Sequence, residues 1–105
     1  MEWIKIFNSA AEAEARIKRG KPQLVVIGEI RICLARAEDS FYAVGDKCSH
    51  NGESLSKGQI NFIGEIVCPW HGYRFSLKSG RCADPYPDIP TYPIQANEEG
   101  FFIGI

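Results

Sequence analysis

Cys48-Ser49-His50 is followed, after 17 intervening residues, by Cys68-Pro69-Trp70-His71. No other feature of this 105-residue chain constrains its fold as tightly, because a thiol and an imidazole recur as a pair in two separate segments. The pattern uses both of the chain's histidines and two of its four cysteines. Each half carries the order Cys before His, one residue apart in the first and two in the second. Side chains of these types at such spacing are metal donors, and a shared metal would force the two segments together.

Thiolate and imidazole together suit iron–sulfur or zinc, so ligand type alone leaves both open. Spacing separates them. A structural zinc finger usually keeps its cysteines in one knuckle and its histidines together on a helix. Mixed halves instead let each of two loops hand a cysteine to one metal and a histidine to another. That is the ligand pattern of a [2Fe–2S] centre in which two histidines replace two cysteines on one iron. Cys48, His50, Cys68 and His71 are the candidate ligands. A zinc-stabilised interaction module is the competing reading; colour separates the two, since zinc is colourless and such a cluster red-brown.

The length fits a single domain over residues 1–105. With 45% apolar residues the chain can bury a modest core, to which a metal clamp would add stability. A formal charge of −1 gives no electrostatic footprint for nucleic acid. No apolar stretch approaches the roughly 18 residues of a membrane span, and Met1-Glu2-Trp3-Ile4-Lys5 lacks the basic and apolar regions of a secretory signal. A soluble, cytoplasmic protein is the expectation. Cys33, in the strand-like run Ile30–Ala35, reads as a small buried hydrophobe. A reducing compartment leaves Cys33 and Cys82 as free structural cysteines.

Residues 3–7 read as a short strand. Ser9-Ala10-Ala11-Glu12 is a capping-box pattern opening a helix through Arg19, with Glu12/Arg16 and Glu14/Lys18 four apart and Gly20 and Pro22 as stop signals. Short strands follow. Gln23–Ile27 and Ile30–Ala37 flank the turn Gly28-Glu29, and Glu38-Asp39 leads into Phe41–Val44. Gln59–Phe62 joins Glu65–Val67 through Ile63-Gly64, then Tyr73–Leu77 follows, and Tyr92–Ala96 pairs with Phe101–Ile105. Strands at this spacing predict an all-β, antiparallel sandwich or barrel with one short N-terminal helix.

The segments Cys48-Ser49-His50-Asn51-Gly52 and Cys68-Pro69-Trp70-His71-Gly72 resemble the two cluster loops of Rieske proteins. Phe41-Tyr42-Ala43-Val44 before the first loop, Leu55 and Gly58 after it, and Phe75 and Gly80 after the second extend the resemblance over roughly residues 23–105. It implies a β scaffold with a cluster-binding hairpin pair, about residues 46–73, at one tip. It further implies one [2Fe–2S] cluster, with Cys48 and Cys68 on an inner iron and His50 and His71 near the surface. The segment Pro85-Tyr86-Pro87-Asp88-Ile89-Pro90 resembles the third, proline-bearing loop that covers such a cluster.

High-potential Rieske proteins carry an extra cysteine in each loop, joined as a disulfide, and serine and tyrosine hydroxyls near the sulfurs. Here Glu53 and Trp70 stand at the two cysteine positions, Tyr73 at the serine position and Phe75 at the tyrosine position. Fewer donors to sulfur disfavour the reduced state, so these departures point to the low-potential end of the Rieske range. They match Rieske-type ferredoxins serving bacterial oxygenases. What the resemblance implies is a one-electron carrier, not itself an enzyme, taking electrons from a reductase and passing them to a terminal oxygenase or similar redox enzyme. The chain lacks a G-x-G-x-x-G nucleotide fingerprint, and its histidines leave none over for a second metal site. The alternative is the small Rieske-like subunit of an assimilatory nitrite reductase. Trp70, beside His71 in a loop that must reach the surface, is expected to be exposed and to serve docking.

Overall fold

Ile32, Cys33, Leu34 and Ala35 are consecutive in sequence, yet each is fully buried. Successive side chains of a strand point to opposite faces, so this strand must have a core on both sides, and the architecture follows from that. The computed structural model describes residues 1–105 throughout. Its elements are β1 (Trp3–Phe7), α1 (Ala10–Arg16), β2 (Gln23–Ile27), β3 (Ile30–Ala37), β4 (Ser40–Gly45), a 3₁₀ turn (Leu55–Lys57), β5 (Gln59–Ile60), β6 (Glu65–Val67), β7 (Arg74–Ser76), β8 (Thr91–Tyr92), β9 (Ile94–Asn97) and β10 (Gly100–Gly104). The strands form three antiparallel sheets in the orders β1-β10-β9, β2-β3-β4-β8 and β5-β6-β7.

The sheet containing β3 is the middle layer. From one face Ile32, Leu34 and Ala43 pack with Ala13 and Ile17 of the helical segment and with Phe101 and Ile103 of β10. From the other face Cys33, Ala35 and Val44 pack with Leu55, Ile66, Phe75 and Leu77, which belong to the segment carrying the β5-β6-β7 sheet. Cys48 and Cys68 are buried in this second core. The all-β expectation with one short helix therefore holds, and the layering places both cysteines between the middle sheet and the small one. Gly58 locks the end of the first loop to β6: a Cβ there would lie 2.0 Å from the Val67 carbonyl oxygen, so only glycine fits.

Several boundaries differ from expectation for local physical reasons. Ser9 caps α1 by accepting the Glu12 N–H at 3.1 Å. The helix ends at Arg16, however, because Ile17 turns to extended backbone (φ −105°, ψ 108°) and buries its side chain. Lys18 therefore lies beyond the helix, and neither of the two expected glutamate pairs closes; Glu12 instead accepts from Asn8 Nδ2 at 3.2 Å. Arg36 Nη1 donates to the Glu14 carbonyl at 3.1 Å, serving the helix end that Gly20 was expected to mark. The expected Tyr92–Ala96 strand is two strands. Pro93 has no N–H for a ladder, so Thr91–Tyr92 pairs with β4 while Ile94–Asn97 pairs with β10. At the β5–β6 turn Asn61 Oδ1 accepts from Ile63 N–H and Glu65 N–H, which ends β5 at Ile60 and leaves Phe62 outside. No helix is long and apolar enough to cross a membrane.

Candidate metal centre

The two loops carrying the Cys/His pairs are closed alike. Cys48 N–H donates to the Glu53 carbonyl at 2.9 Å, and Cys68 N–H donates to the Tyr73 carbonyl at 2.8 Å, five residues on in each case. The first loop is anchored by Asp46, which is 2% exposed. Its carboxylate accepts the Ser56 N–H at 2.7 Å and the Ser54 hydroxyl, and Arg31 Nη2 lies 3.9 Å away. Its carbonyl accepts the Leu55 N–H at 2.7 Å, so one residue staples both ends of the loop. In the second loop His71 and Gly72 are both left-handed, with φ 69° and 70°. Glycine adopts this freely; for histidine it costs on the order of 1 kcal/mol. The pair makes the tight reversal that leaves His71 exposed three residues after a buried proline-linked cysteine.

The four candidate ligands thus divide by depth. Cys48 and Cys68 are 1% and 2% exposed, whereas His50 and His71 are exposed. Burial is the main cause that holds the Cys68 thiol above its ordinary value. The Trp70 backbone N–H and Asn51 pull it down, and the neighbouring Cys48 sulfur pushes it up. Ionising two adjacent buried thiols requires a positive centre beside them. A metal cluster meets that requirement, so the donor set fits one. A structural zinc ion asks for four protein donors around it, whereas each iron of a mixed-ligand cluster takes only two protein side chains.

His50 sits between two tyrosines. Its ring centroid is 4.1 Å from that of Tyr73 and 4.2 Å from that of Tyr86. The Tyr73 hydroxyl lies 3.4 Å from His50 Nε2 and 3.4 Å from the Tyr86 hydroxyl. That hydrogen bond with Tyr86, then burial, push the Tyr73 phenol up to about 12, so it stays protonated at neutral pH. The hydroxyl at the serine position is therefore not lost but directed at an imidazole. His71 has a different neighbour, Trp70, with ring centroids 5.6 Å apart, and Trp70 is 59% exposed as expected. The proline-bearing segment lies against the first loop: Ser49 Oγ donates to the Pro87 carbonyl at 2.5 Å, and Gly45 N–H donates to the Pro90 carbonyl at 2.9 Å. Cys33 and Cys82 are buried and free, and burial, aided by the Asp46 charge, pushes Cys33 up to about 12.

Of the residues that build this site, Asp46 has no signal in the sequence; Asn51, Tyr73 and Tyr86 fall in the expected cluster and covering loops, Tyr73 at the serine position, but their contacts with Cys68 and His50 are not foreseen there. Asn51 sits within a loop and Tyr86 within a Pro-Tyr-Pro stretch, and neither position carries a periodic signal. The flanking prolines, which stiffen the segment, and the segment's resemblance to a cluster-covering loop are what signal that Tyr86 is held in place.

The family model described as Rieske [2Fe-2S] domain matches residues 7–93. The 3-phenylpropionate/cinnamic acid dioxygenase ferredoxin subunit of Shigella boydii serotype 4 (strain Sb227) is 33% identical over 76 residues, which cover 70% of this chain and 72% of the relative. The ferredoxin of carbazole 1,9a-dioxygenase from Nocardioides aromaticivorans IC177 superposes with a TM-score of 0.84 over 99% of this chain and 98% of its own, at 20% identity. A chain from the complex of reduced oxygenase and oxidized ferredoxin in carbazole 1,9a-dioxygenase gives a TM-score of 0.81 at 25% identity, covering 97% of this chain and 92% of its own.

Proposed function

Since this chain belongs to the Rieske [2Fe–2S] family, we propose that it is a one-electron carrier that takes electrons from a reductase and delivers them to a terminal oxygenase. Cys48 and Cys68 hold the cluster from within and His50 and His71 from the surface, and residues 1–105 act as one domain with 46–73 as its cluster-binding part. Bound there, a [2Fe–2S] cluster supplies one reversible electron at a time. The chain's own residues do the rest. The buried cysteine pair excludes water from the inner side, Asp46 and the two cysteine N–H groups keep the loops closed, and the exposed histidines bring the site to the surface.

The observation that carries this reading is the division by depth: two buried thiols beneath two exposed imidazoles, with Trp70 exposed beside one of them. Electron transfer falls off steeply with distance, so an exposed ligand is the shortest route to a partner. An exposed aromatic beside it suits the small, quickly reversible contacts of transient redox partners. The relatives named as a dioxygenase ferredoxin subunit and as a ferredoxin in complex with its oxygenase support the same partners for this chain. The site of action is the cytoplasm, where its two free thiols persist. A reconstituted assay with a ferredoxin reductase and a terminal oxygenase from the same source tests the reading. Turnover should require this protein in its red-brown form, and turnover that proceeds without it refutes the role.

A further inference from the structure

Asn51 occupies the first loop between His50 and Gly52, yet its amide reaches the second loop. Oδ1 accepts the Glu53 N–H at 2.9 Å. Nδ2 lies 3.3 Å from the Trp70 carbonyl oxygen and 3.7 Å from Cys68 Sγ. The first two contacts fix the amide's orientation independently: Glu53 N–H needs the oxygen on its side, and the Trp70 carbonyl needs the nitrogen on its own. Flipping the group would break both. Oδ1 is also 3.7 Å from Cys68 Sγ, a contact in which a protonated thiol would be the donor. A ligating thiolate has no proton to give, so the contact that survives is donation from Nδ2. The NH₂ group has two hydrogens, one for the Trp70 carbonyl and one for the sulfur.

We propose that Asn51 is a positioning residue of the cluster site, tying the first loop to the second and giving a side-chain N–H to the Cys68 thiolate. The inference rests on Cys68 being a cluster ligand. A hydrogen bond to a coordinating sulfur stabilises its negative charge, more so in the reduced state, and so raises the potential. Asn51 thus supplies part of what Tyr73 and Phe75, at the serine and tyrosine positions, do not give the sulfurs. A plain turn role would be different: Oδ1 and Glu53 N–H alone make an Asx turn, which holds the loop without touching the sulfur.

Asn51→Ser separates the two roles. The serine hydroxyl can still accept from Glu53 N–H but is too short to reach Cys68. Voltammetry on the cluster-loaded protein should show a shift of the potential to more negative values in Asn51→Ser, with faster loss of iron to a chelator. An unchanged potential overturns the proposal. Should the variant fail to load, pulsed EPR on reduced wild-type protein carrying ¹⁵N only in asparagine side-chain amides decides. Coupling to ¹⁵N supports the N–H to sulfur contact, since of the asparagines only Asn51 is placed at the site, and absence of coupling overturns it. Failure of wild-type protein to hold iron and sulfide would instead strike at the ligand assignment itself, so the two failures are distinct.

Discussion

Ser49 and Pro87 are 38 residues apart in sequence, and the Ser49 hydroxyl donates to the Pro87 carbonyl at 2.5 Å. The bond clasps the proline-bearing segment onto the residue preceding His50, and Tyr86 adds its ring against the imidazole. Loss of one such hydrogen bond costs about 1 kcal/mol, roughly a fivefold change in the population of opened loops. Ser49→Ala should therefore release iron to a chelator about fivefold faster and lower the melting temperature by about 4 °C. A chelation time course checks this.

Trp70 is exposed beside His71, so its removal exposes no core. Trp70→Ala should raise the apparent KM of a partner enzyme for this protein about tenfold, the scale of an interface aromatic contributing 1–2 kcal/mol, while cluster content and potential stay the same. Steady-state kinetics with the reductase and with the oxygenase measure it. Unchanged kinetics with both would remove Trp70 from the docking surface.

Cys33 gives the protein an alkaline weakness. Its thiol is pushed up to about 12 in the folded chain, against 9.0 ordinarily, by burial and then by the Asp46 charge. Below pH 9 both folded and unfolded forms keep the proton, and Cys33 makes no difference. Above it the unfolded chain releases the proton while the folded chain retains it. The unfolded state then binds fewer protons, and stability falls with rising pH. Unfolding free energies measured by denaturant titration from pH 8 to 11 should decline by a few kcal/mol in all, and Cys33→Ala should flatten that slope while leaving a small cavity.

The potential should lie near the low end of the Rieske range, on the order of −150 mV. Neither extra cysteine is present, Phe75 is a buried core residue with no hydroxyl, and Tyr73 directs its hydroxyl to His50 instead of a sulfur. Protein-film voltammetry reads this directly; a value well above zero would mean that the sulfurs have donors beyond Asn51 and the backbone.

What the sequence makes legible here is what short-range chemistry decides. Gly28-Glu29 between two apolar runs specifies its hairpin, with Gly28 at φ 61°, and Ser9 specifies its cap. The Cys/His spacing marks the site because ligand geometry is local to each loop. What it hides depends on distant packing. Ile17 leaves the helix because a core assembled from β3 and β10 accepts it, although the residues around it favour helix. Tyr73 and Tyr86 meet across His50 only once the proline-bearing segment folds back, and Asn51 finds Cys68 only once both loops are placed. Pro93 lies inside what reads as one strand, Tyr92–Ala96; that its two sides serve different sheets depends on β4 and β10 standing on either side.

Iron and acid-labile sulfide content, measured with the visible and EPR spectra on wild-type protein and on Cys48→Ala, His50→Ala, Cys68→Ala and His71→Ala, tests the ligand assignment most directly. Wild-type protein should hold iron and sulfide for one [2Fe–2S] cluster per chain and be red-brown. Each substitution opens one iron position to water and should abolish or severely deplete the cluster. Full iron and sulfide content in any of the four variants would contradict the account.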